Sequence, residues 1–114
     1  MKKLMITTIL AMPMLSGAAM ADGIEGMWKR PSGILVDIHK CGGEFCVVAA
    51  SGKHKGGSAG KFASAGGGKY AGTVTDLEVD KTYSGKATLA GDSLTMSGCV
   101  LGGLFCKSEN WERQ

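Results

Sequence analysis

Four cysteines stand in two close pairs, Cys41 with Cys46 and Cys99 with Cys106, and they offer the most chemistry in this chain. In an oxidising compartment an even count in close pairs reads as disulfides. Turns at Gly43-Glu44 and Gly102-Gly103 set Cys41 opposite Cys46 and Cys99 opposite Cys106, within bonding reach. On the chain-entropy model a local loop of about six residues contributes roughly 2 kcal/mol and a crossed loop of about 60 roughly 4, so energy favours crossed pairs. Proximity favours local ones, and these are preferred because they presuppose nothing about which strands are neighbours. The alternative use of the same atoms is a zinc site of His39, Cys41 and Cys46 with Cys99, Cys106 or His54 as fourth ligand. The Cys41-to-Cys46 spacing is loose for a zinc hairpin, so the reading assigns no metal and no cofactor.

Catalysis needs a nucleophile with a base, paired carboxylates or a metal. Asp37 and His39 share one face of an alternating stretch, an arrangement that orients an imidazole but also describes the polar face of a half-buried strand. His54 lies in the basic run Lys53-His54-Lys55, which suits an anion or simply a solvated loop. Asp76, Glu78 and Asp80 alternate in the manner of a weak calcium site, yet Leu77 and Val79 between them suggest a strand edge. No Gly-x-Ser-x-Gly elbow occurs, and Gly66-Gly67-Gly68 lacks the Lys-Ser/Thr of a phosphate loop. No catalytic residue is assigned, and the chain is not expected to be an enzyme.

The elements that must position these groups are short strands. Lys2 and Lys3, an apolar stretch from Leu4 to Leu15 and the small-residue exit Ala19-Met20-Ala21 form an export signal over residues 1–21, with cleavage after Ala21 and a periplasmic or secreted product. The stretch is shorter than the roughly 20 residues of a membrane span, and nothing later is longer. The remaining residues, 22–114, form one domain; without Lys2 and Lys3 the net charge of +3 falls to +1, less than a nucleic-acid binder usually carries. Ile34, Val36 and Ile38 alternate with Leu35, Asp37 and His39, and Leu94 and Met96 with Thr95 and Ser97. Paired glycines such as Gly42-Gly43 and Gly102-Gly103 separate such runs at hairpin intervals. The pattern predicts an all-β meander of about seven or eight strands, closed or nearly closed into a barrel because closure removes exposed edges. Ser51 to Gly72, rich in glycine, serine and lysine, reads as loop plus weak strands within the same domain.

The segments IEGMWKR, IHKCGGEFCVV and DKTYSGKATLAGDSLTMSGCVLGGLFCKSENWERQ together resemble the bacterial family known as domain of unknown function 2147, over about Ile24 to Arg113. The resemblance implies a small lipocalin-like barrel exported to the periplasm, with no assigned biochemical role. Gly26-Met27-Trp28 is also similar to the Gly-x-Trp element that opens lipocalin barrels, with Trp111-Glu112-Arg113 as the matching late element. That similarity implies a barrel-end plug of Trp28, Trp111 and Arg113, in which Arg113 or Arg30 covers the Trp28 indole. It leads to a first functional expectation, a monomer binding one small, partly apolar ligand. The ligand-facing candidates are Ile34, Val36, Ile38, Phe45, Val47, Tyr83, Leu94 and Met96. The competing expectation is an interaction or inhibitor module of the cell envelope with a filled barrel, acting through Val100-Leu101 and Leu104-Phe105 on an unknown protein partner.

Overall fold

The structure is a computed structural model that describes residues 23–114, so the export signal lies outside the described residues. Eight antiparallel strands follow one another around a closed barrel: β1 Gly26–Lys29, β2 Leu35–Cys41, β3 Glu44–Ala49, β4 Ser58–Gly66, β5 Lys69–Asp76, β6 Lys81–Ala90, β7 Ser93–Val100 and β8 Phe105–Arg113. Consecutive hairpins account for seven of the pairings, and β1 with β8 closes the ring. No helix of the described residues is long and apolar enough to cross a membrane.

Alternation of apolar and polar residues decides which face of each strand turns inward. Val36 and Ile38 of β2, Phe45 and Val47 of β3, Phe62 of β4, Tyr70 of β5, Ala87 of β6, Leu94 and Met96 of β7 and Trp111 of β8 meet in one buried cluster with Ile24 and Trp28. Their neighbours along each strand face solvent. On the outer side of β6–β8, hydroxyl and amide pairs such as Ser97–Ser108 and Thr95–Asn110 face each other across the strands.

Such large side chains fit in so narrow a barrel because other inward positions carry none. Phe62 is paired with Gly72, Gly72 with Gly85 and Gly85 with Gly98, a single row across β4, β5, β6 and β7. A Cβ on Gly72 would stand 1.9 Å from the Lys61 carbonyl oxygen, and one on Gly85 would stand 2.9 Å from Cζ of Phe62. The glycines let adjacent backbones approach and give the Phe62 ring its seat.

Two loops differ from the sequence reading. The β2–β3 turn is Gly42-Gly43, not Gly43-Glu44: Cys41 pairs with Glu44 and His39 with Cys46. The physical reason is that Gly42 takes the left-handed conformation, with φ of +69°. Cys41 and Cys46 are therefore diagonal neighbours, and their Cα atoms, 5.8 Å apart, are still close enough for the disulfide they form. Cys99 and Cys106 are directly opposite and also bonded, so both disulfides are local. The second correction concerns Asp76 to Asp80, which is not a strand edge. The Glu78 N–H donates to Asp76 Oδ1 at 2.9 Å, an Asx turn that ends β5, and Asp80 has φ of +52°. Likewise Ser58–Gly66, expected to be weak, is a nine-residue strand.

The glycine row makes a sharp test. Gly72→Ala meets backbone that no rotamer change can move, whereas Gly91→Ala enters open space and is penalised only by its φ of +63°. Urea unfolding should therefore show Gly72→Ala losing about 3 kcal/mol or more and Gly91→Ala only about 1.

Candidate functional site

One end of the barrel is closed by the residues that flank its first and last strands. The Trp28 indole is fully buried and donates through Nε1 to the Ile24 carbonyl at 2.9 Å. Arg113 lies over the Trp28 ring, with its guanidinium carbon 4.4 Å from the centroid. The same guanidinium bonds the carbonyls of Gly23 and Glu25 and reaches Asp92 Oδ1 at 3.0 Å. Arg113 thus holds the chain entry, the last strand and the β6–β7 turn together over the indole face.

The opposite end carries the loops after β1, β3 and β5 and the tip of the β7–β8 hairpin. Arg30 does not cover Trp28; its Nε donates to Glu109 Oε1 at 2.6 Å, and Trp111 Nε1 donates to the same oxygen at 2.7 Å. Glu109 shares the inward face of β8 with Trp111, one pleat further along, half-shielded at the barrel mouth. Burial pushes its carboxyl up, but the hydrogen bonds from Arg30 and Trp111 and the nearby positive charge outweigh this and hold it below its ordinary value. Arg30 is raised in turn, chiefly by its hydrogen bond to Glu109. Tyr83 stands half-exposed at this mouth, with Lys81 Nζ 5.8 Å from its ring centroid.

Of the eight ligand-facing candidates, Val36, Ile38, Phe45, Val47, Leu94 and Met96 are buried against one another and against Trp28, Phe62 and Trp111. Ile34 lies before β2, with its side chain against Gly52, and Tyr83 is at the rim. The two depressions beside β8 are shallow and mostly polar. One lies between the Lys29–Gly33 turn and Asn110, the other near Asp92 and Arg113.

His39 Nδ1 is 3.0 Å from Asp37 Oδ2 on the outer surface, with both side chains more than 40% exposed. His54 is 2.7 Å from Glu78, and Lys53 is 3.4 Å from it. Glu78 is held below its ordinary value by the His54 hydrogen bond and then by Lys53. These are exposed ion pairs on the outer surface. All four cysteines are consumed in disulfides, which removes the zinc alternative built on their thiolates. The disulfides argue for an oxidising compartment rather than the cytoplasm.

At the hairpin tip, Leu101, Leu104 and Phe105 are exposed by 72%, 74% and 60%, with Val100 beside them. They do not fold back onto the barrel end. The Cys99–Cys106 disulfide ties the two strands together where they leave the barrel. Sequence reasoning found this tip through its apolar residues flanking Gly102-Gly103. It missed Arg30–Glu109, because residues 79 apart in sequence meet only when the barrel closes.

Two expectations follow from these ends. Trp28→Ala should cost about 3–5 kcal/mol in denaturant unfolding, as loss of a fully buried indole does. Because Glu109 titrates below its unfolded-state value, its pairing stabilises above the ordinary carboxylate range and is lost as pH falls through the lowered value. Glu109→Gln should therefore be less stable than the parent at pH 7, with the gap closing below about pH 4.

Residues 58–113, from the start of β4 to the end of β8, match a family model described as an uncharacterized protein conserved in bacteria. The match is shorter than the resemblance from Ile24 and leaves β1 to β3 outside it. Among curated proteins and among solved structures, nothing matches the chain. Residues 58–113, which build strands β4 to β8, thus match the bacterial DUF2147 family.

Proposed function

We propose that the protein is a non-catalytic interaction module of the bacterial envelope whose docking surface is the tip of the β7–β8 hairpin. The observation that carries this reading is the exposure of Leu101, Leu104 and Phe105 on a disulfide-tied hairpin. Exposed apolar side chains clustered in this way mark contact surfaces in soluble proteins. Leu101 is also held in the left-handed region, with φ of +53°, beside Gly102 and Gly103, which are left-handed as well. A leucine there costs about 1–2 kcal/mol that a glycine would not, so its side chain is kept at the tip against a local penalty.

Two further observations support a surface role. Six of the eight side chains expected to meet a ligand, all but Ile34 and Tyr83, pack on one another and on Trp28, Phe62 and Trp111, as in a filled eight-stranded barrel. The histidines lie in exposed ion pairs on the outer face, without the geometry of a nucleophile and base. The disulfides fit a periplasmic setting for such a module.

The test uses mature protein produced in the periplasm of its own cells. A photo-crosslinking residue at position 104 should give a discrete protein adduct in intact cells, and one at Lys86, on the outer face of β6, should not. Leu101→Asp should abolish the adduct while changing stability by no more than about 0.5 kcal/mol. Equal labelling from both positions, or a small molecule retained in the native mass spectrum of the purified protein, overturns the reading.

A further inference from the structure

The barrel closes asymmetrically. β1 has four residues and β8 nine, and they pair only through Trp28 with Arg113 and Lys29 with Glu112. β8 therefore has no sheet partner on its β1 side from Phe105 to Asn110 among the described residues. The Gln114 N–H donates to the Met27 carbonyl on the β1 side, and the Arg113 N–H donates to the Asp92 carbonyl on the β7 side. Alternation along the strand then points the N–H and C=O groups of Cys106, Ser108 and Asn110 out of the free edge, and those of Lys107 and Glu109 into the β7 ladder. The Cα–Cα distance of 4.1 Å between Cys99 and Cys106 agrees, because it is that of a pair that does not exchange hydrogen bonds. Arg30 reaches from the Lys29–Gly33 turn to the Glu109 side chain, and an open depression lies between the turn and Asn110.

We infer that this edge, continuous with the apolar tip, pairs with the same edge of a second copy of the chain, antiparallel and two-fold symmetric about Ser108. The inference rests on the tip as docking surface and names its partner. Charge selects the register. Pairing centred on Lys107 sets lysine against lysine, and pairing centred on Glu109 sets glutamate against glutamate; like charges directly opposite are unfavourable. Centred on Ser108, Lys107 stands opposite the partner's Glu109 twice over. The same register sets Ser108 opposite the partner's Ser108 and Cys106 opposite the partner's Asn110, which are the positions whose backbone groups point outward. The phase of the free amides permits this arrangement, and the charge pattern selects it. Both bonds to Glu109 end on Oε1, and Lys107 has no charged partner among the described residues, so Oε2 and an ammonium are available for the new pair. Inward-pointing charges on an edge normally block pairing. Here they block the two neighbouring registers and leave this one. The same register sets Phe105 of each copy opposite the partner's Trp111, next to Glu112, where β1 of the partner takes over the edge, so that each tip lies against the depression beside Asn110 and Glu112.

The contact is small, which puts it among weak, concentration-dependent associations. Sedimentation of the oxidised mature protein from about 1 µM to about 1 mM should show a monomer–dimer equilibrium. Lys107→Glu, at an exposed position whose side chain has no ion pair among the described residues, should fold normally and weaken dimerisation roughly tenfold or more, since two attractive cross-strand pairs become repulsive. In a mixture of isotopically labelled and unlabelled protein, a carbodiimide should join Lys107 of one copy to Glu109 of the other. A monomer at every concentration overturns the pairing, and the adduct at position 104 then decides the docking surface separately. A dimer untouched by Lys107→Glu but lost with Leu101→Asp overturns the strand pairing and retains the tip. A dimer indifferent to both overturns both.

Discussion

The fold depends on a ring closed by two residue pairs. Seven hairpins build a sheet whose first strand is less than half the length of its last, so the backbone ladder between β1 and β8 is too short to secure the seam. Arg113 supplies the rest. From the end of β8 it bonds the chain entry at Gly23 and Glu25, reaches the β6–β7 turn at Asp92 and lies flat on the Trp28 indole. A planar guanidinium with several donors can serve carbonyls, a carboxylate and an aromatic face at once, which a lysine ammonium cannot. Closing the ring at this end leaves the other half of β8 without a neighbour on its β1 side among the described residues, and the hairpin tip protrudes from it.

The interior follows from the same economy of strand length. Short strands enclose little volume, and that volume is taken by two indoles, two phenylalanines and a tyrosine, with a row of glycines beside Phe62 in place of side chains. The Phe62 ring over Gly85 is the clearest instance: the ring occupies the space that any other residue at position 85 would need. Interiors packed to this extent hold their shape, and chemistry is displaced to the rim. At the mouth, Glu109 is held ionised by Arg30 and Trp111, and further out two disulfide-linked cysteines keep a pair of strands together beyond the core.

Much of this was legible before any coordinates. Period-two alternation marks the buried faces of β2 and β7, glycine pairs mark the turns, and two short cysteine spacings become local disulfides because each spans one hairpin. The errors share a cause. Gly42-Gly43-Glu44 offers two adjacent turn positions, and only the conformation of Gly42 chooses between them. Asp76 to Asp80 alternates like a strand, but an aspartate that can bond the backbone two residues on ends it. Local pattern cannot weigh such competitors.

By itself the sequence determined the strand-and-turn alternation, the preference for local cysteine pairs and the apolar character of the Val100–Phe105 tip, because each is written within about ten neighbouring residues. Only the tertiary structure decided that Arg113 rather than Arg30 covers Trp28, that Glu109 meets Arg30, that three glycines line up beneath Phe62 and that half of β8 has an open edge. Each of these joins residues far apart in the chain, and their distances are set by strand register and by where the ring closes, which no local spacing encodes.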